Sequence, residues 1–65
     1  MTFGDKLKAV RKKLFLSQQA LGTELGVDRS TVNRWEKGLF EPNYTAQKAF
    51  HELCVKNNIQ FKENE

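Results

Sequence analysis

The chain has 65 residues, 38% of them hydrophobic, and a formal net charge of +3. A chain of this size forms one small domain, which buries only about 60% of the surface that its unfolded state exposes. One cysteine excludes an intramolecular disulfide, and no apolar stretch approaches the roughly 20 residues that cross a bilayer. We therefore expect apolar packing to stabilise the domain. Since no signal peptide precedes it, we expect it in the cytoplasm.

The positive charge is concentrated in the first part of the chain. Residues 1–38 contain eight Lys or Arg and four Asp or Glu, whereas residues 39–65 contain three and four. Such asymmetry is typical of a surface for an anionic partner. Charge alone, however, favours the simpler interpretation of a solvated basic surface.

The first residues predict an amphipathic helix over about 3–14. Thr2 and Asp5 have the spacing of a capping box, with Asp in place of the usual Glu or Gln. Apolar residues then recur every three or four positions, as on one face of a helix. These residues are Phe3, Leu7, Val10 and Leu14.

A second, shorter helix is predicted over about 17–25. The Ser17 hydroxyl can accept a hydrogen bond from a backbone N–H of the next turn, as N-cap residues do. Gly26 ends the helix because glycine adopts the left-handed conformation at little steric cost. A helix this short is unstable alone in water, so it must pack against other elements.

A third helix is predicted over about 28–37. Asp28 is its N-cap, and the negative charge suits the positive end of the helix dipole. Val32 and Trp35 are three residues apart and are predicted to face the core, with Trp35 a core residue and not a stacking surface for a base. Gly38 ends this helix.

A fourth helix is predicted over about 43–56, after a loop at Pro42 and with Asn43 as its N-cap. The residues expected to face inward are Tyr44, Ala46, Phe50, Leu53 and Cys54. Beyond it, Ile59 and Phe61 alternate with polar residues, which indicates a short extended segment or strand.

The second and third predicted helices are separated only by "GVD", which makes them a helix-turn-helix unit. Such a unit needs a small residue where the helices approach each other, which Gly22 provides, and a positive φ in the turn, which Gly26 provides. It also needs apolar residues that hold the helices together. Those present are Leu21, Leu25, Val27, Val32 and Trp35.

The run "RKKLFLSQQALGTELGVDRSTVNRWEKGLFEP" resembles the lambda-repressor-like, or XRE-type, helix-turn-helix family over about half of the chain. The residues that match the family pattern are Arg11, Leu14, Ser17-Gln18, Leu21-Gly22, Leu25-Gly26-Val27, Thr31-Val32, Trp35-Glu36, Gly38 and Pro42. Two positions depart from it. Gly22 stands where the family usually has alanine, and Gln47 where it usually has leucine.

This resemblance implies an all-α bundle of four or five helices. From the length and the last residues of the chain we expect a single domain over residues 1–65, with residues 57–65 frayed or part of a dimer contact. The resemblance implies that the third helix enters the major groove of double-stranded DNA while the second crosses the backbone. It also implies a structural ion pair between Arg11 and Glu36. The implied DNA-binding residues are Ser17, Gln18, Arg29, Ser30, Thr31, Asn33, Arg34 and Lys37.

Seven residues of that set have an expected partner on DNA. Arg29 and Ser30 are the first candidates for base contacts, followed by Arg34 and Asn33, because arginine can bind guanine and asparagine adenine through two hydrogen bonds. Thr31 suits a thymine methyl group or a phosphate. We expect Gln18 and Lys37 to contact the phosphate backbone.

The expected function is therefore a sequence-specific transcriptional regulator, a repressor, encoded by a bacterium or a phage. A module this small suggests a homodimer on a pseudo-palindromic operator. The apolar candidates for the dimer contact are Leu39, Phe40, Phe50, Ile59 and Phe61. The alternative is a protein-interaction module, antitoxin-like or adaptor, for which the polar set on the third helix would have no use.

No cofactor, metal, membrane contact, small-molecule effector or enzymatic activity is expected. His51 and Cys54 lie three residues apart on a helix, but two ligands do not make a structural zinc site. The same two residues, in a chain too small to form a cleft, are a poor pair of nucleophile and base.

Overall fold

The computed structural model describes residues 2–61, which form four α-helices and, within that range, no β-strand. The helices are α1 (Phe3–Lys13), α2 (Gln18–Leu25), α3 (Arg29–Glu36) and α4 (Tyr44–Lys56). The predicted all-α fold and its helix order are confirmed. The predicted ranges of α2, α3 and α4 each start one residue too early, because they include the N-cap residue. The N-cap residues have extended backbone conformations and lie outside the helices.

Each helix begins at a side chain that accepts a hydrogen bond from the backbone N–H three residues later. Thr2 and Asp5 form the predicted capping box at α1, with hydrogen bonds of 3.1 and 3.3 Å. Ser17, Asp28 and Asn43 cap the other three helices at 2.8–3.0 Å. The caps satisfy backbone donors that have no partner inside the helix, so the sequence specifies where each helix begins.

The turn between α2 and α3 depends on two glycines. Gly26 has a φ of +77°, and the Val27 N–H donates a hydrogen bond to the carbonyl oxygen of Gly22 at 2.8 Å. A Cβ atom on Gly22 would lie 2.6 Å from the carbonyl oxygen of Val27. Glycine therefore leaves room for the turn to fold back onto α2.

The core lies where the four helices meet. α3 packs against α1 and α2, and α4 packs against α2. The buried side chains are Leu7, Val10, Leu21, Leu25, Val32, Trp35, Ala46, Phe50, Leu53 and Cys54. The Phe3 ring stands edge-on to both Trp35 and Phe50, with centroid distances of 5.6 and 5.2 Å. The core role predicted for Trp35 is confirmed.

Three expectations about the last part of the chain need correction. Tyr44 was expected to face inward, but it is 80% exposed because it is the first residue of α4 and lies outside the packed face. Phe50 was a candidate for a dimer contact, but it is buried in the core of the monomer. Residues 59–61 form no strand, since no strand in residues 2–61 is available to pair with them; Ile59 and Phe61 pack against the core instead.

Candidate nucleic-acid interface

One side of α3 is buried and the other is exposed. Val32 and Trp35 face the core, whereas the residues outside the core are polar or charged. Six of the residues predicted to bind DNA lie on α3 or at its C-cap, Lys37. Four of these six are exposed and two are half-buried. The exposed ones are Arg29, Ser30, Arg34 and Lys37, and the half-buried ones are Thr31 and Asn33. Because residues four apart lie on the same side of a helix, Ser30 and Arg34 share one stripe and Arg29 and Asn33 the next.

The first turn of α3 is organised by Asp28. Its carboxylate accepts hydrogen bonds from the Thr31 N–H at 2.9 Å and from the Ser30 hydroxyl at 3.2 Å. The hydrogen bonds from Thr31, then that from Ser30 and the charge of Arg34, hold the pKa of Asp28 below its ordinary value. The Ser30 hydroxyl therefore donates within the protein, and its oxygen keeps lone pairs with which to accept a hydrogen bond.

An ion pair joins α1 to the end of α3. Arg11 Nε and Nη2 donate to the two carboxylate oxygens of Glu36 at 2.7 and 3.1 Å, and Arg11 Nη1 donates to the carbonyl oxygen of Leu16 at 3.2 Å. The hydrogen bond to Glu36 raises the pKa of Arg11. The predicted pairing of Arg11 with Glu36 is confirmed.

The same carboxylate orients Gln18, the first residue of α2. Gln18 Nε2 donates to Glu36 Oε1 at 3.3 Å, and Asn33 Nδ2 donates to Gln18 Oε1 at 3.4 Å. Two predicted DNA-binding residues are thus linked across the helix-turn-helix. No sequence signal indicates this link, because the partners are 15 and 18 residues apart.

The other predicted residues lie at the ends of these helices. Ser17 is exposed, and its oxygen accepts from the Ala20 N–H at 3.0 Å, which leaves the hydroxyl hydrogen available to a ligand. Lys37 is exposed at the end of α3. The loop that follows brings Phe40 close to Arg34, a contact that no sequence pattern predicted.

Within residues 2–61, no group of three or more His, Cys, Asp or Glu is arranged to hold a metal ion. Cys54 is buried, and burial raises the pKa of its thiol. None of the described helices has the length and apolar character needed to cross a membrane.

Known proteins resemble the part of the chain that contains α2 and α3. A family model described as "Helix-turn-helix" matches residues 7–46, which include all of α2 and α3. The chain is 42% identical over 40 residues to repressor protein C2 of Salmonella phage P22. The aligned segment is 62% of this chain but only 18% of that repressor. No solved structure matches the chain.

Proposed function

Because the chain belongs to the lambda-repressor-like helix-turn-helix family, we propose that it is a transcriptional regulator that binds double-stranded DNA in a sequence-specific manner. The observation that carries this proposal is the exposed face of α3. Arg29, Ser30, Arg34 and Lys37 are exposed there, while the buried residues of the helix, Val32 and Trp35, face the core. A helix whose exposed side chains are not needed for packing, and which follows a tight turn, suits the major groove.

Base recognition would come from the α3 side chains whose hydrogen-bonding groups remain available. Arg29 and Arg34 can each donate two hydrogen bonds to O6 and N7 of guanine. Ser30 would accept from an amino group of cytosine or adenine, because its own hydrogen is donated to Asp28. Asn33 uses one N–H for Gln18 and retains the carbonyl oxygen and second N–H with which asparagine binds adenine.

Phosphate contacts would supply most of the affinity and its dependence on salt. The amide of Gln18 uses one hydrogen for Glu36 and has a second for a phosphate oxygen at the N-terminus of α2. The Ser17 hydroxyl, next to Gln18, and Lys37, at the end of α3, would also contact the phosphate backbone of DNA. Glu36 would thus hold Gln18 in a fixed orientation before DNA arrives.

We further propose that the protein represses transcription as a homodimer on a pseudo-palindromic operator. The relative in phage P22 is a repressor, which supports the first part. One module buries only about 600–1,000 Å² on DNA, which supports the second, since two modules double this area. Of the apolar candidates, Leu39 is 66% exposed and offers a contact next to the recognition helix. Phe50 is excluded by its burial.

Selection of binding sites from a random library of duplexes tests the proposal. The purified protein should enrich a two-fold symmetric consensus, with half-site centres about one helical turn apart. The Arg29→Ala/Arg34→Ala variant should remain folded by circular dichroism but lose its preference for the consensus. Each lost guanine contact should reduce discrimination by about 1–3 kcal/mol, which is about 5- to 150-fold.

A variant with the same change in charge provides the control. Lys48→Ala/Lys56→Ala removes two exposed cations from α4, and it should weaken binding to all duplexes similarly without changing the consensus. Enrichment of no sequence by the wild-type protein would favour a protein-interaction module instead. Survival of the consensus in the Arg29→Ala/Arg34→Ala variant would show that α3 is not the recognition helix.

A further inference from the structure

Phe40 lies against a proposed base-contacting residue without belonging to the core. The Cζ atom of Arg34 lies 5.4 Å from the centroid of the Phe40 ring, within the range of cation–π contacts. Phe40 is 53% exposed, and it is not among the side chains of residues 2–61 that pack on the core. Burial therefore does not explain this aromatic residue, whereas contact with Arg34 does.

The backbone after α3 maintains this arrangement. Gly38 has a φ of +75°, and the Leu39 N–H donates to the carbonyl oxygen of Arg34 at 2.9 Å. These features fold the chain back along the last turn of α3, so that the residue after Leu39 meets the Arg34 side chain. The backbone hydrogen bond of Leu39 thus fixes the start of the loop that carries the Phe40 ring.

A cation–π contact of this kind limits the motion of an arginine side chain and leaves its hydrogen-bond donors available. An arginine side chain has many rotamers, and ordering it on DNA has an entropic cost. A phenyl ring has no conventional hydrogen-bond acceptor, so its contact with the guanidinium leaves the N–H donors of the arginine for guanine. A ring at this position therefore orders the side chain before binding without using its donors.

We propose that Phe40 is a positioning residue for Arg34, and that this pair determines how strongly one guanine in each half-site is distinguished from other bases. The inference rests on the proposed function, since it presupposes that Arg34 contacts a base. It assigns Phe40 to recognition within one subunit, and the competing role is an apolar contact between the two subunits of a dimer.

The test compares Phe40→Leu with Phe40→Tyr on duplexes enriched by selection with the wild-type protein. Leucine remains apolar but has no aromatic face, while tyrosine retains one. We expect Phe40→Leu to lower the preference for guanine at one position of the half-site by about 2- to 5-fold, and to leave the other positions unchanged. Phe40→Tyr should retain the wild-type preference for guanine at that position.

The position affected must be the one that Arg34 contacts. Arg34→Ala identifies that position, and Phe40→Leu added to Arg34→Ala should reduce discrimination no further, because the ring acts only through the arginine. An NMR measurement independent of DNA accompanies this cycle. The Arg34 Hδ signals should move when the Phe40→Leu substitution removes the ring current, while the far-UV circular dichroism stays constant.

The outcomes separate the two proposals. If the wild-type protein enriches no sequence, the proposed function fails and this inference fails with it. If the protein is specific and Arg34→Ala changes one base preference, but Phe40→Leu changes none, this inference alone is overturned. It is also overturned if Phe40→Leu weakens binding equally at every position and prevents dimer formation in sedimentation experiments, because Phe40 would then belong to a subunit contact.

Discussion

Neutralising Glu36 should destabilise the domain far more than neutralising an exposed glutamate elsewhere. The side chains of Arg11 and Glu36 are only 18% and 5% exposed, and two hydrogen bonds join them. Replacing one partner of a buried ion pair costs about 3–5 kcal/mol, and of an exposed pair about 0–1 kcal/mol. For this largely shielded pair we expect Glu36→Gln to lower the free energy of unfolding by about 2–3 kcal/mol.

A loss of this size is large for so small a domain. At about 0.05–0.15 kcal/mol per residue, a domain of 65 residues has a free energy of unfolding of about 3–10 kcal/mol. Urea unfolding should be followed both by far-UV circular dichroism and by the fluorescence of Trp35, the single tryptophan, which is 6% exposed. The two signals should report the same midpoint. The slope of the free energy of unfolding against urea concentration should be unchanged by the substitution.

The chain contains its own control. Lys56 and Glu24 form an ion pair at 4.0 Å whose side chains are 74% and 42% exposed. Glu24→Gln should cost less than about 0.5 kcal/mol, and added salt should reduce even that, since exposed charges are screened. A double-mutant cycle of Arg11→Met and Glu36→Gln should give a coupling energy of about 1–2 kcal/mol. Equal effects of Glu36→Gln and Glu24→Gln, or a coupling near zero, would refute the structural role assigned to this pair.

Two further predictions concern the first turn of α3 and the turn before it. Because the pKa of Asp28 is lowered in the folded state, its contribution is complete above the ordinary value of 3.8 and is lost as the pH falls through the folded value. The urea midpoint of the wild type should therefore decrease relative to Asp28→Asn in this acidic range, and a constant difference between the two proteins would contradict this. Gly22→Ala should lower the free energy of unfolding by about 1–2 kcal/mol, because its Cβ atom would lie 2.6 Å from the Val27 oxygen. Thr23→Ala, at an exposed position of α2, should instead be neutral or stabilising, and a similar gain from Gly22→Ala would show that the turn relaxes freely.

Local rules predicted most of the fold. The hydrogen bonds at Thr2, Ser17, Asp28 and Asn43 each join residues three apart, so they depend on sequence spacing alone. The periodicity of apolar residues likewise predicted the buried face of α1 and the core role of Trp35. The prediction of Tyr44 as an inward residue was wrong because a helix end is not enclosed by its neighbours.

Residue types and their spacing predicted the four helices, the turn at Gly26 and the polar face of α3, and the family resemblance predicted the Arg11–Glu36 pair. How that polar face is held could be seen only in the packed molecule. Gln18 meets Asn33 and Glu36, and Phe40 meets Arg34, only because the helices and the loop after α3 pack at particular distances. Spacing along the chain specifies a helix, since its hydrogen bonds are local. Contacts between side chains of different elements depend on how those elements pack, and no short stretch of sequence specifies that packing.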